Sequence, residues 1–90
     1  MTITKFGHSC LLIEQNGTRI LTDPGVWTSQ QNDLTDVDII IITHQHPDHF
    51  SINSVKALIA NNPRAQIITN SSVGELLKTE GIAFQILENT

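Results

Sequence analysis

His44-Gln45-His46-Pro47-Asp48-His49 brings three imidazoles and a carboxylate into six residues, one residue after the run Ile39-Ile40-Ile41-Ile42. The isoleucine run is continuous rather than alternating, the pattern of a strand covered on both faces. A ligand-rich loop at the C-terminal end of such a strand sits where open α/β sheets concentrate their sites. Residues two apart on an extended chain point the same way, so His44 and His46 can reach one ion from one side. Asp48 and His49 then face elsewhere, and the simplest arrangement in which all four ligate is a pair of adjacent metals. Two such ions can clamp a hydrolytic transition state. The plainer reading is a polar loop whose histidines cap a helix or face solvent. Against it, all but one of the chain's four histidines fall inside this stretch, beside an acid. Pro47 disfavours helical geometry at His46, which separates the site from the helical His-Glu-x-x-His kind.

Upstream, Ile3 to Phe6, Cys10 to Glu14 and Thr18 to Thr22 read as three short strands. Asn16-Gly17 between the last two is the strongest two-residue hairpin signal, so the chain opens with an antiparallel meander. Asp23-Pro24-Gly25 stops the third strand, and residues 26–36 read as a polar loop in which Trp27 either packs beneath the chain or covers a pocket. Downstream, Ser51 is a good N-cap, and Ile52, Val55, Leu58 and Ile59 mark one face of a helix ending near Asn61-Asn62-Pro63. Gln66 to Thr69 is a strand. Ser72-Val73-Gly74-Glu75 resembles a capping box, with Leu76 and Leu77 facing inward and Gly81 ending the helix before a strand from Ile82 to Leu87. Strand-helix-strand-helix-strand implies parallel pairing with right-handed crossovers. The fold class is α/β, with an α+β character from the opening meander.

Ninety residues allow one small domain, burying about 60–65% of the surface its unfolded chain would expose. The net charge is −4, and Lys5, Arg19, Lys56, Arg64 and Lys78 are scattered, so there is no nucleic-acid footprint. Cys10, the one cysteine, lies in the apolar stretch Cys10-Leu11-Leu12-Ile13 and reads as a buried strand thiol rather than a nucleophile. No apolar stretch approaches the ~20 residues that span a membrane, and the N-terminus lacks a signal-peptide pattern. These features lead us to expect a cytoplasmic protein with no membrane partner.

The loop His44-x-His46-x-Asp48-His49 after a hydrophobic strand resembles the signature of the metallo-β-lactamase superfamily. Phe6-Gly7-His8-Ser9-Cys10-Leu11-Leu12-Ile13-Glu14, with Asn16-Gly17 and Ile20-Leu21-Thr22-Asp23-Pro24, is similar to the branch containing the ascorbate-6-phosphate lactonases and related metal-dependent hydrolases. The resemblance spans essentially the whole chain. It implies an αββα sandwich with a dinuclear site, usually zinc, sometimes iron or manganese. His44 and His46 would hold the first metal and Asp48 and His49 the second, with Asp48 also orienting or deprotonating the nucleophile. Asp23 matches the family's first acidic motif, where the carboxylate orients nearby ligands through hydrogen bonds; it is equally an Asp-Pro-Gly turn residue. His8 either lines the pocket or is structural. Redox members of the fold carry an acid at the second motif position, where this chain has His46, so the resemblance implies hydrolysis.

Complete members add another metal-binding His, a bridging Asp and a final His, whereas this chain has no histidine after His49 and no aspartate after Asp48. We therefore expect residues 1–90 to form one incomplete domain, the N-terminal half of the sandwich. Its helices would cover one sheet face and leave the other apolar and open to a missing C-terminal half or to a second copy in a homodimer. The expected function is metal-dependent hydrolysis of a small-molecule lactone, ester, amide or phosphodiester by metal-activated water. The alternative is a catalytically inactive half-domain that binds metal weakly and self-associates.

Overall fold

A computed structural model describes residues 1–7, 10–25, 30–43 and 51–87. Six strands form one sheet in chain order: β1 (Thr2–Gly7), β2 (Cys10–Gln15), β3 (Thr18–Thr22), β4 (Ile39–Ile42), β5 (Gln66–Thr69) and β6 (Gln85–Ile86). The first three pair antiparallel, and β3 to β6 pair parallel through crossovers that carry α1 (Ile52–Asn61) and α2 (Ser71–Thr79). The meander and the alternating second part are thus as expected.

Asn16 and Gly17 both adopt positive φ, 54° and 82°, and Gln15 pairs with Thr18 across them. That is the two-residue primed turn whose twist matches the strands. Ser51 caps α1 by accepting from the Ser54 amide, as its position in sequence suggests. Gly81 ends α2 with φ 72°: its amide donates to Lys78 and that of Ile82 to Leu77, a Schellman closure.

Both helices lie on one sheet face. Val55, Leu58, Val73 and Leu77 join Cys10, Leu12, Leu21, Ile40, Ile42 and Ile67 in a single core, with Phe6, Ile52, Ile59 and Phe84 packed against it. The alternate residues face the other way: Leu11, Ile13, Ile20, Ile39, Ile41 and Ile68 are only partly buried, and Ile3 is 56% exposed. One helix layer on one sheet face, with an apolar second face, is the half-sandwich expected.

Three details differ from expectation. The N-cap of α2 is Asn70, not Ser72, because the Asn70 side chain accepts from the Val73 amide and starts the helix two residues earlier than the capping-box pattern places it. Leu77 is fully buried but Leu76 is 45% exposed, since consecutive helical residues point about 100° apart and only one can face the core. The last strand is two residues, because Phe84 packs on α2 instead of extending the ladder; a Cβ on Gly74 would stand 2.7 Å from its ring. The loop after β3 also contains a 3-10 turn, Gln30–Asp33, whose Gln31 side chain is wholly buried. Asn62 ties that loop to α1: its Oδ1 accepts from the Val37 amide at 2.9 Å, and its Nδ2 donates to the carbonyls of Leu34 and Leu58 at 2.8 and 2.9 Å.

Candidate metal-loop anchor

The six-residue ligand stretch sits between β4 and α1, and both of its stems are fixed by one turn. Asp23 follows β3 with φ 43°, a left-handed conformation that Asp tolerates better than most residues. Its amide donates to the Ile41 carbonyl at 2.8 Å, continuing the β3–β4 ladder by one step. The buried carboxylate then turns onto Thr43, the residue before His44. Oδ1 accepts from the Thr43 amide at 2.7 Å, and the Thr43 hydroxyl lies 3.1 and 2.9 Å from Oδ1 and Oδ2. The carbonyl of the next residue, Pro24, accepts from the amide of Ser51 at 3.0 Å, which holds the far stem where α1 begins.

The neighbouring strand holds the same stem from the other side. Thr69 Oγ1 donates to the Ile42 carbonyl at 2.8 Å, and Asn70 Nδ2 donates to the Thr43 carbonyl at 2.9 Å. A cleft of about 390 Å³ opens here, lined by Ile41, Ile42, Thr43, Ile68, Thr69, Asn70 and Leu87. Its walls are largely aliphatic, with Thr43, Thr69 and Asn70 as the polar residues.

His44, His46, Asp48 and His49 lie outside the described residues, as do His8 and Trp27. Among the described residues no three His, Cys, Asp or Glu side chains come together to hold a metal. Asp23, the acidic residue read from the first motif, is placed beside the loop, and the partners described for it are the backbone and hydroxyl of Thr43. Thr43, Thr69 and Asn70 were not singled out in the sequence, although the position of Thr43 beside His44 and of Asn70 at a strand end before a helix were visible there. Cys10 is a buried strand thiol as read, and its pKa is pushed up to about 12, first by burial and then by the nearby Asp23 charge. It is protonated at neutral pH and unsuited to be a nucleophile.

The donor set suits a divalent ion. Imidazole and carboxylate are ligands for zinc, manganese and iron alike, and Thr43, the residue that precedes them in sequence, is held by several hydrogen bonds.

A six-stranded mixed sheet with both helices on one face is an arrangement of the metallo-β-lactamase type. Comparison with known families agrees: residues 2–89 match the model of the beta-lactamase superfamily domain, and the chain belongs to that family. Protein Rv0786c of Mycobacterium tuberculosis is 45% identical over 67 residues, covering 74% of this chain and 32% of its own length. A UPF0173 metal-dependent hydrolase of Staphylococcus saprophyticus is 34% identical over 83 residues, covering 88% of this chain and 35% of its own. A solved structure, a putative metal-dependent hydrolase from Parabacteroides distasonis, superimposes with a TM-score of 0.78 at 28% identity, over 97% of this chain and 37% of that one. The chain thus spans about a third of the length of these relatives. No helix among the described residues is long and apolar enough to cross a membrane.

Proposed function

We propose that this chain is the N-terminal, metal-binding portion of a metal-dependent hydrolase that opens a lactone or cleaves an ester, amide or phosphodiester in a small molecule. The carrying observation is the double anchoring of the ligand loop, whose first stem is clamped by Asp23 at Thr43 and whose second is clamped by Pro24 at Ser51. Fixing the flanking residues Thr43 and Ser51 supports a metal site between them, since metal ligands need a rigid base. In this reading His44 and His46 hold one ion and Asp48 and His49 a second, with zinc the first choice and manganese or iron the alternatives. A bound divalent ion would lower the pKa of a water toward about 7 and stabilise negative charge developing on the substrate.

The chain's own residues set the rest. With the metal bound, Asp48 would be one of its ligands and would orient the attacking water or take its proton. Asp23 would act on the ligands by fixing the Thr43 backbone that precedes His44, and His8 would either line the pocket or serve a structural role. The lactonase-like branch favours a lactone. The open apolar sheet face is covered either by the remainder of the family domain or by a second copy of this chain. A cytoplasmic location accords with a single, buried, unpaired cysteine. The inert half-domain is the less favoured reading, because a relative and a solved structure similar to this chain are both named metal-dependent hydrolases.

The test is turnover of a panel of lactones, thioesters and phosphodiesters by metal-loaded protein carrying this chain. The proposal predicts chelator-sensitive hydrolysis that is lost in His46→Ala and Asp48→Ala. Turnover no greater than in the His46→Ala control would reject it.

A further inference from the structure

We propose that Asn70 is a positioning residue for the metal loop, coupling its first stem to the N-terminus of α2; this rests on the reading of residues 44–49 as metal ligands. The two ends of its amide do separate jobs. Oδ1 accepts from the Val73 amide at 2.9 Å and caps α2, while Nδ2 donates to the Thr43 carbonyl at 2.9 Å. Capping needs only an acceptor, and serine or aspartate would serve as well as asparagine. Among the described residues, the donor is taken up by Thr43 alone.

The location gives that donor its consequence. Backbone pairing between β4 and β5 ends at Ile42 and Thr69. Beyond it, side chains of the β5 terminus take over, with Thr69 Oγ1 on the Ile42 carbonyl and Asn70 Nδ2 on that of Thr43. The Thr43 amide is already held by Asp23 at 2.7 Å. The Thr43 carbonyl lies in the planar peptide unit that ends at the His44 Cα. Holding the amide and the carbonyl of Thr43 therefore fixes both of its soft torsions, and with them the direction in which the chain enters His44. Helix α2 is a firm seat for this clamp, since Val73 and Leu77 are completely buried.

Asn70→Ser separates the two jobs: its hydroxyl keeps the cap but is too short to reach Thr43, and it adds no charge near the ions. Asn70→Ala removes both. Zinc affinity is measured by competition with a chromophoric chelator, helix content and thermal midpoint by circular dichroism. Hydrogen exchange at the Thr43 amide is measured on the metal-free protein.

Groups that orient metal ligands are worth about 10–100-fold in affinity. One step further back, Asn70→Ser should weaken zinc binding about 3- to 10-fold and hasten Thr43 exchange, with the thermal midpoint nearly unchanged. Asn70→Ala should lower the midpoint as well. Zinc affinity in Asn70→Ser equal to that of the unmutated protein, or unaltered Thr43 exchange, would overturn the inference. If the unmutated protein itself takes up no zinc, the metal reading falls, and the exchange measurement still decides the clamp.

Discussion

Replacing Asp23 tests the anchor on which the site is built. In Asp23→Ala the Thr43 amide loses its acceptor at 2.7 Å and the Thr43 hydroxyl loses both carboxylate oxygens, in a place where Asp23 is only 7% exposed. Hydrogen bonds to a charged group contribute about 1.5–3 kcal/mol, and because Thr43 is exposed its freed donors can turn to water. Alanine must also adopt φ 43°, which adds about 1 kcal/mol that Asp and Asn largely avoid. The expected loss is about 3–4 kcal/mol, a large part of the roughly 5–13 kcal/mol available to ninety residues. Asp23→Gly relieves the backbone component and should be about 1 kcal/mol milder than alanine. Asp23→Asn keeps an oxygen for the Thr43 amide and lets its NH2 donate to the Thr43 hydroxyl, so its loss should be about 1 kcal/mol. Urea unfolding of the four proteins gives the order directly. An alanine variant within 0.5 kcal/mol of the unmutated protein, as a rough threshold for surface substitutions, would refute the reasoning. So would an asparagine variant as damaged as alanine.

Asn62→Ala should cost about 2–4 kcal/mol in thermal or urea unfolding, because it strands the Val37 amide and removes two further bonds that tie the loop before β4 to α1; a loss near zero would contradict that role. The Cys10 thiol, whose pKa burial raises from an ordinary 9.0 to about 12, favours folding fully below pH ~9, and that contribution is lost as pH rises toward 12. Urea midpoints from pH 8 to 10.5 should therefore fall further in the unmutated protein than in Cys10→Ala, by about 1–2 kcal/mol, and equal falls would contradict the burial argument. At pH 8 a thiol reagent should label Cys10 only after unfolding. Gly74→Ala places a methyl 2.7 Å from the Phe84 ring, so overpacking of about 1–3 kcal/mol should outweigh the gain of about 1 kcal/mol in helix propensity; a stabilised variant would show that the ring moves freely.

Most of the architecture was legible because local signals and global pairing agree. Asn16-Gly17 specifies its own turn, the four isoleucines specify a covered strand, and Gly81 specifies a helix end. The misreadings came where two signals competed. Ser72 and Glu75 have capping-box spacing, but Asn70, two residues earlier and at the end of β5, captures the Val73 amide first. The run Ile82 to Leu87 is apolar enough for a six-residue strand, yet Phe84 gains more by packing on α2 than by extending the ladder. The candidate ligands His44, His46, Asp48 and His49, which lie outside the described residues, were legible as a proposal from their spacing. Their support was not, because Asp23, Thr43 and Asn70 meet across 20 and 27 residues of intervening chain, and no periodicity reports such a contact.

The central claim is that residues 44–49 bind metal on an anchored loop. Native mass spectrometry after zinc loading, on the unmutated protein and on a His44→Ala/His46→Ala double variant, reads metal count and subunit number together. The account predicts stoichiometric zinc on the unmutated protein and loss of at least one ion in the double variant, with circular dichroism unchanged. Equal zinc uptake by the two proteins, or none by either, would contradict it.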